Sequence, residues 1–153
     1  MIAQVATKNK MEMSVGTRQF SSDGLQKLAK TSIGRPITIG FNSTSVGKII
    51  DAWLEGGSLF VEFESELFDM NYLVPSIRVA SSKAGIFKKV VCDGFGLTNN
   101  PVDKSLLSIK DTNEFIIKEE RQFFFLNDDK NKNGPYNSYT DANKAMLEYS
   151  NLL

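Results

Sequence analysis

The segment that most constrains the fold is residues 46–64, where two apolar runs flank the pair Gly56-Gly57. Strand side chains alternate between two faces, so a period of two residues predicts strands, and the second run, SLFVEFE, alternates in this way. The first run, VGKIIDAWLE, is predicted to place alternate residues on one face: Val46, Lys48, Ile50, Ala52 and Leu54. Because Gly-Gly suits the two-residue turns that need positive φ, the sequence predicts a β-hairpin.

The remaining sequence predicts more strands and a helix near each end. Further strands are predicted at residues 11–20, 37–41, 71–80 and 86–98, with one or two more within residues 114–127. A helix over residues 21–34 would be capped by Ser21 or Ser22, and a last helix by Thr140 or Asp141. Pro75 lacks an amide hydrogen for the ladder, which predicts a sheet edge or a bulge there.

These elements predict one domain over residues 1–153 of the α+β class. It would have a mostly antiparallel β-sheet or partly closed β-barrel with flanking helices. Residues 104–153 would add the C-terminal strands, a polar loop at residues 127–139 and the last helix.

Composition excludes several classes of function. Eighteen basic and eighteen acidic side chains cancel, so no net charge attracts the chain to nucleic acid or to an anionic membrane. The N-terminal residues lack a signal-peptide core, and no stretch approaches the roughly 20 apolar residues of a membrane helix. We therefore expect a soluble protein made in a cytosol.

The chain has no histidine and a single cysteine, Cys92. Without histidine, neither Ser-His-Asp nor Cys-His catalysis is available, and the commonest transition-metal ligand is missing. One cysteine forms no disulfide within the chain and no cysteine metal cluster. No cofactor is therefore expected.

Four segments within residues 35–103 occur in an order that resembles a known family. They are RPITIGFNSTSVGKIIDAW, EGGSLFVEFE, YLVPSI and GFGLTNNPVD. This order resembles the prohead (capsid maturation) proteases of tailed phages, particularly those of the bacteriophage Mu type, and LTNNP is its most specific piece. The resemblance implies the fold of the herpesvirus assemblins, a β-barrel flanked by helices, and a serine nucleophile activated by histidine.

The resemblance places the catalytic histidine in the loop before the first strand of the hairpin. Phe41, Asn42 and Ser43 occupy those positions here. A serine hydroxyl needs a positioned base to take its proton, and none of these three side chains titrates near neutral pH. The resemblance therefore implies a catalytically inactive relative.

The nucleophile position is altered as well. Aligning YLVPSI with the family segment YLSPVF puts Val74 in the place of the serine, whereas another alignment puts Ser76 there. Ser76 is thus a vestigial catalytic candidate, and its ordinary interpretation is a strand hydroxyl. A Ser-Lys pair with Lys88 or Lys89 is an alternative, since a buried lysine can act as a base.

Loss of both catalytic positions from a retained framework favours binding over cleavage. We expect an auxiliary or minor capsid protein, made in the host cytoplasm and carried in the virion. Its partner would be the major capsid protein, with self-association around a symmetric vertex as a further expectation. The alternatives are an active maturation protease with an unusual base, an internal scaffold or cargo protein, and a carbohydrate-binding module using Trp53 or the pair Tyr136 and Tyr139.

A polar loop near the C-terminus partly matches a calcium-binding pattern. The letters DKNKNG fit D-x-[DN]-x-[DN]-G, in which alternate oxygen ligands converge on one ion. The twelfth position is Thr140 instead of a bidentate glutamate, so the match is incomplete, and a hydrophilic turn is the ordinary interpretation. The candidate Ca²⁺ ligands are Asp129, Asn131, Asn133 and Asp141.

Two further patterns concern surfaces. Phe123, Phe124 and Phe125 cannot all lie on one face of a strand, so at least one ring must face a neighbouring element or a partner chain. They are therefore interface candidates. Glu62 and Glu64 share one strand face, which is typical of a solvated sheet surface.

Overall fold

The structure, a computed structural model, describes residues 1–40 and 44–151, except for the side chains of residues 80–82. Its elements in chain order are β1 (Ile2–Thr7), β2 (Met11–Met13), β3 (Gly16–Phe20), α1 (Ser22–Ser32), β4 (Pro36–Ile39), β5 (Gly47–Glu55), β6 (Ser58–Ser65), β7 (Tyr72–Lys83), β8 (Ile86–Thr98), α2 (Ile109–Asn113), β9 (Ile116–Glu119), β10 (Gln122–Leu126), β11 (Lys132–Tyr136) and α3 (Tyr139–Asn151).

The larger of the two sheets in the described residues curls into a half-barrel. Its hydrogen-bonded order is β1-β6-β5-β4-β8-β3-β2, and β7 pairs with β8 as well. Most neighbouring strands are antiparallel, while β3 and β4 run parallel to β8. Strand residues exceed helical ones, 49% against 20%, which confirms the α+β prediction.

The predicted hairpin is confirmed as β5 and β6, with Leu54 opposite Leu59 and a turn at Gly56-Gly57. Both glycines have positive φ, 56° and 78°, as a two-residue hairpin turn requires. The predicted face of β5 is wrong, because the register shifts between Ile49 and Asp51. This bulge buries Ile49 and leaves Ile50 exposed, so the alternation changes phase within the strand.

The hairpin separates two hydrophobic cores. The first core joins the inner face of the half-barrel to α1, and its large members include Phe20, Leu25, Leu28, Ile37, Ile49, Leu59, Phe63, Leu73, Phe87, Phe95 and Leu97. The second core joins the outer face of the hairpin to the sheet β11-β10-β9 and to α3, through Ile2, Phe60, Ile116, Phe123, Phe125, Tyr139 and Ala142.

Helix α1 confirms the predicted cap and packs closely on β8. The Ser21 hydroxyl accepts a hydrogen bond from the Gly24 amide at 2.9 Å. A Cβ added at Gly24 would come within 2.2 Å of the Phe87 carbonyl oxygen, so the close approach requires glycine. Further along, the Cys92 amide donates to the Thr31 hydroxyl at 2.9 Å, which fixes the helix beside the strand.

The N-terminal region differs from the expectation. The predicted strand at residues 11–20 is instead the hairpin of β2 and β3, and β1 was not predicted. Strand β1 has the sequence IAQVAT and is buried almost throughout. A strand covered on both faces shows no alternation, which is why the pattern failed there.

Several boundaries near the other turns also differ. Strand β7 continues to Lys83, three residues beyond its predicted end at residue 80, so the turn to β8 consists of Ala84 and Gly85. Residues 127–139, predicted as a loop, contain β11, which pairs with β10. Helix α3 begins at Tyr139, and the Ser138 hydroxyl accepts from the Asp141 amide at 3.0 Å, so the cap precedes the predicted Thr140 or Asp141.

The prediction that Pro75 lies at a sheet edge or a bulge is confirmed. In the described residues β7 has a ladder with β8 alone, and the register shifts between Ser76 and Ile77. The proline therefore lies in an edge strand next to a bulge. Within the described part of the chain, no helix has the length and apolar character needed to cross a membrane.

Candidate functional site

A cavity of about 550 Å³ opens between β1 and β7, the two strands that approach each other across the open side of the half-barrel. We call this cavity the seam cavity. Its apolar lining is Val5, Ala6, Met11, Met13, Phe20, Val74, Pro75, Ile77, Phe87, Pro101, Val102 and Leu106, and its polar lining is Gly40, Ser76, Thr98, Asn100 and Asp103. A mostly apolar cavity of this size with few polar groups is typical of ligand and partner sites.

The LTNNP segment forms one end of the seam cavity. The Asn99 side chain accepts from the Asn71 amide at 2.8 Å and donates to the Asp69 carbonyl at 3.2 Å. It thereby ties the end of β8 to the start of β7. Asn100 and the buried Pro101 then turn the chain along the cavity wall. The end of β8 at Thr98 and the turn that follows it thus have a structural role, because they form one wall of the cavity.

Ser76 lies on β7 opposite Gly94 and lines the seam cavity. Its hydroxyl has no hydrogen-bond partner among the described residues. Asp103 is the one carboxylate of the described lining, and it is buried. It accepts from the Thr7 hydroxyl at 2.6 Å and from the Ser105 hydroxyl at 2.5 Å. Its oxygens are engaged by these hydroxyls, and among the described residues no hydrogen bond joins Asp103 to Ser76.

The structure does not bring a lysine to Ser76. Lys88 and Lys89 are exposed on β8, and Lys89 stands opposite Ser81. That position is five residues along β7 from Ser76, or roughly 16 Å at the rise of a strand. A Ser-Lys pair is therefore not formed. The predicted base positions Phe41, Asn42 and Ser43 lie outside the described residues.

Cys92 is completely buried and does not contribute a reactive thiol to the cavity. Burial raises its thiol pKa, and the thiol donates to the Gly94 carbonyl at 3.4 Å. A raised pKa keeps the sulfur protonated and unreactive near neutral pH.

The calcium candidates belong to different elements. Asp129 and Asn131 lie in the turn after β10, Asn133 is in β11, and Asp141 is in the first turn of α3. The Asn127 side chain accepts from the amides of residues 129 and 131, both at 3.0 Å, so the turn is organised by a side chain of its own. Across residues 1–40 and 44–151, no three His, Cys, Asp or Glu side chains form a metal-binding group.

The interface prediction for the three phenylalanines needs correction. Phe123 and Phe125 are buried in the second core, so they are unavailable to a partner chain. Phe124 points to the other face, where it is half-buried with the Lys132 ammonium 5.2 Å from its ring centroid. The alternation of the strand explains the split, since α3 and β5–β6 cover one face only.

The aromatic rings named for the carbohydrate-binding alternative pack in or against the second core. Trp53 packs between Phe60 and Phe123, with ring centroids 6.0 and 5.5 Å away, and its indole donates to Glu55 at 2.7 Å. Tyr139 is buried against Phe60 at a centroid distance of 5.0 Å. Tyr136 stacks on Phe125 with ring centroids 6.1 Å apart, and like Trp53 it is half-buried against the second core.

Two polar contacts that the sequence did not reveal attach the second core to the hairpin. The Lys118 ammonium lies 2.7 Å from Glu62 and 3.4 Å from Asp51. The Glu55 carboxylate accepts from the amides of Tyr139 and Thr140 at 3.0 and 2.9 Å. Glu62 is thus paired across the interface, which corrects the expectation of a solvated sheet face.

Comparison with known protein families, with curated proteins and with solved structures finds no match to this chain.

Proposed function

We propose that this chain is a non-catalytic relative of the prohead proteases that serves as an auxiliary or minor capsid protein in the virion of a tailed phage. Its partner is the major capsid protein, and the interaction stabilises the capsid lattice. The observation that carries the proposal is the environment of Ser76, the residue that would inherit the nucleophile's role.

The Ser76 hydroxyl opens on an apolar cavity whose described lining holds one carboxylate, and that carboxylate is occupied by two hydroxyl donors. The chain contains no histidine to serve as a base from elsewhere. Acyl transfer requires an activated nucleophile, whereas binding an apolar group requires only a shaped, water-accessible cavity. The same site therefore favours recognition of a partner over cleavage.

The balanced charge agrees with a protein partner. With eighteen charges of each sign, the chain has no net attraction to a polyanion, so recognition depends on local apolar and hydrogen-bonding contacts. A lattice of capsid subunits presents the same contact many times, so copies of this chain that associate with one another would bind it with higher avidity than a single copy.

The first test measures the chain in purified virions by quantitative mass spectrometry. We expect an uncut chain at a fixed copy number relative to the major capsid protein. Presence in procapsids with absence from mature particles would overturn the proposal in favour of a protease or scaffold.

The second test separates binding from cleavage. Wild-type chain and the Ser76→Ala variant are incubated with the purified major capsid protein, and both intact mass and binding are measured. We expect binding by the wild-type chain and no cleavage by either protein. Cleavage by the wild-type chain that disappears in Ser76→Ala would show an active protease.

A further inference from the structure

We propose that the seam cavity binds a single-chain acyl lipid with an uncharged polar head, such as a monoacylglycerol. The acyl chain lies along β7, and the head lies at the end of β8. This activity goes beyond the proposed function, because it belongs to the chain alone and does not require the capsid protein. Three properties of the cavity support it: its elongated shape, the separation of its apolar and polar ends, and the charges at the polar end.

The cavity is long enough to hold a chain. Four consecutive residues of β7, residues 74–77, line it, which is a length of about 10 Å at the rise of a strand. On β8 its lining runs from Phe87, near the start of the strand, to Thr98, where the strand ends. Its volume of about 550 Å³ is that of a small-molecule site. A cavity extended along a strand fits a flexible chain better than a compact ring system.

One end of the cavity is apolar. Phe20 packs edge-on against Phe87 with ring centroids 5.4 Å apart, and both rings line the cavity. Met11 and Met13 lie on the same hairpin as Phe20, and the flexible, polarisable side chains of methionine adapt to the shape of an apolar ligand. An ordered water needs about two to four polar partners, so water is a poor occupant of this end. An acyl chain that displaces it removes apolar surface from water.

The other end of the cavity is polar and open to solvent. Of the four polar side chains in the described lining, three come from the segment that ends β8 and follows it: Thr98, Asn100 and Asp103. Asn100 is exposed, and the neighbouring Val102 is 45% exposed, so this segment forms the mouth. A ligand with its chain toward Phe87 therefore presents its head at residues 98–103.

The charges at the mouth favour an uncharged head. Asp103 is buried and accepts from the hydroxyls of Thr7 and Ser105, so an anionic head would lie near a carboxylate that water screens weakly. The exposed Lys104 ammonium donates to the side-chain oxygen of Asn100 at 2.6 Å, so a cationic head would meet a second positive charge. A neutral head avoids both repulsions.

Two hydrogen-bond donors remain for such a head. The Asn100 amide nitrogen and the Ser76 hydroxyl have no hydrogen-bond partner among the described residues. Asn100 lies at the mouth and can donate to a head-group hydroxyl. Ser76, opposite Gly94, lies further along β7 and can donate to an ester or amide carbonyl at the start of the chain. An acyl glycerol carries both acceptors in that order.

Isothermal titration calorimetry of the purified chain tests the proposal with monohexanoyl, monooctanoyl and monodecanoyl glycerol, each below its micelle concentration. We expect a single saturable site and an affinity that rises about fourfold for each added methylene. Decanoate and decylamine, which carry a charged head on a similar chain, should bind at least tenfold more weakly than monodecanoyl glycerol. Absence of saturable binding, or a smaller preference for the ester over either charged ligand, would overturn the proposal.

Two cavity variants locate the ligand. Val74→Trp fills the cavity from β7, and Val102→Asp places a charge at its mouth. Val79→Asp is the matched control, since Val79 is 42% exposed on β7 and is not among the described lining residues. We expect each cavity variant to weaken binding of monodecanoyl glycerol at least tenfold and the control to change it less than twofold, with thermal unfolding showing that each variant is folded.

The exposed position of Val102 keeps the test decisive even if Val74→Trp does not fold. Equal affinity of the folded Val102→Asp variant and the wild-type chain would place the lipid outside the seam cavity and overturn the proposal. Because these titrations contain no capsid protein, their failure leaves the proposed function intact. Failure of the capsid protein to bind would likewise leave the lipid site intact.

Discussion

Replacing Lys118 with methionine should destabilise the attachment of the second sheet to the hairpin. Asp51 and Glu62 stand directly opposite each other on β5 and β6, an arrangement in which like charges repel. The Lys118 ammonium, on β9, lies 2.7 Å from Glu62 and 3.4 Å from Asp51, and its side chain is only 6% exposed. It also donates to the Glu120 carbonyl at 2.5 Å.

The expected cost follows from the burial of the three groups. Removing one partner of a fully buried ion pair costs about 3–5 kcal/mol. Here Glu62 and Asp51 are 27% and 42% exposed, so water screens the charges that remain. The loss should then be closer to that of a hydrogen bond to a charged group, about 2 kcal/mol. Methionine keeps the apolar stem that packs near Trp53, so packing changes little.

Urea unfolding at neutral pH and low salt measures this loss, with Lys144→Met as the control because Lys144 is exposed on α3. Glu62→Gln and the double variant complete a double-mutant cycle, and we expect a coupling energy of about 1 kcal/mol or more between residues 62 and 118. A loss below about 0.5 kcal/mol, or additive single effects, would refute the assigned role of Lys118.

Four further predictions concern the helices. Burial raises the pKa of Tyr139 to about 12, so the contribution of its protonated hydroxyl to the free energy of unfolding is complete below pH 10 and is lost as pH rises through 12. Alkaline unfolding of the wild-type chain and of Tyr139→Phe measures this contribution. Identical dependence of stability on pH in the two proteins would contradict the prediction. Tyr139→Phe should itself cost about 1 kcal/mol in denaturant unfolding, because the hydroxyl donates to the Thr112 carbonyl at 3.2 Å. Glu55→Ala removes the acceptor for two amides at the start of α3 and should lower the free energy of unfolding by about 1–2 kcal/mol in urea; an unchanged midpoint would remove Glu55 from that role. Gly24→Ala should lower the free energy of unfolding by about 1–3 kcal/mol despite the better helix propensity of alanine, because the new Cβ would lie 2.2 Å from the Phe87 carbonyl oxygen. A rise in melting temperature would mean instead that α1 shifts on β8 to accommodate the new Cβ.

The elements that the sequence predicted correctly are those decided by local chemistry. Gly56-Gly57 determines the hairpin turn, and Ser21 caps α1 through its own hydroxyl. Strand β11 was missed because its sequence, KNGPY, is typical of a turn, and its pairing with β10 comes from tertiary structure. The bulge in β5 was equally hidden, since no local signal distinguishes Ile49 from Ile50.

The candidate site was only partly predictable. Ser76 and the LTNNP segment were identified from sequence, and both border the seam cavity. The cavity itself depends on residues far apart in the chain, such as Met11 on β2 and Asp103 after β8, which the curling of the sheet brings together. The sequence contains no pairing information that would place β1 beside β7.

The acidic residues of the hairpin show how the two parts of the chain depend on each other. Asp51, Glu55 and Glu62 would be expected on a solvated strand face, yet each is engaged by a group from residues 118–140. The C-terminal elements therefore satisfy the charges of the hairpin while they cover Phe60, and α1 covers the opposite face. Both faces of the hairpin are thus occupied, whereas the seam cavity between β1 and β7 is open and mostly apolar.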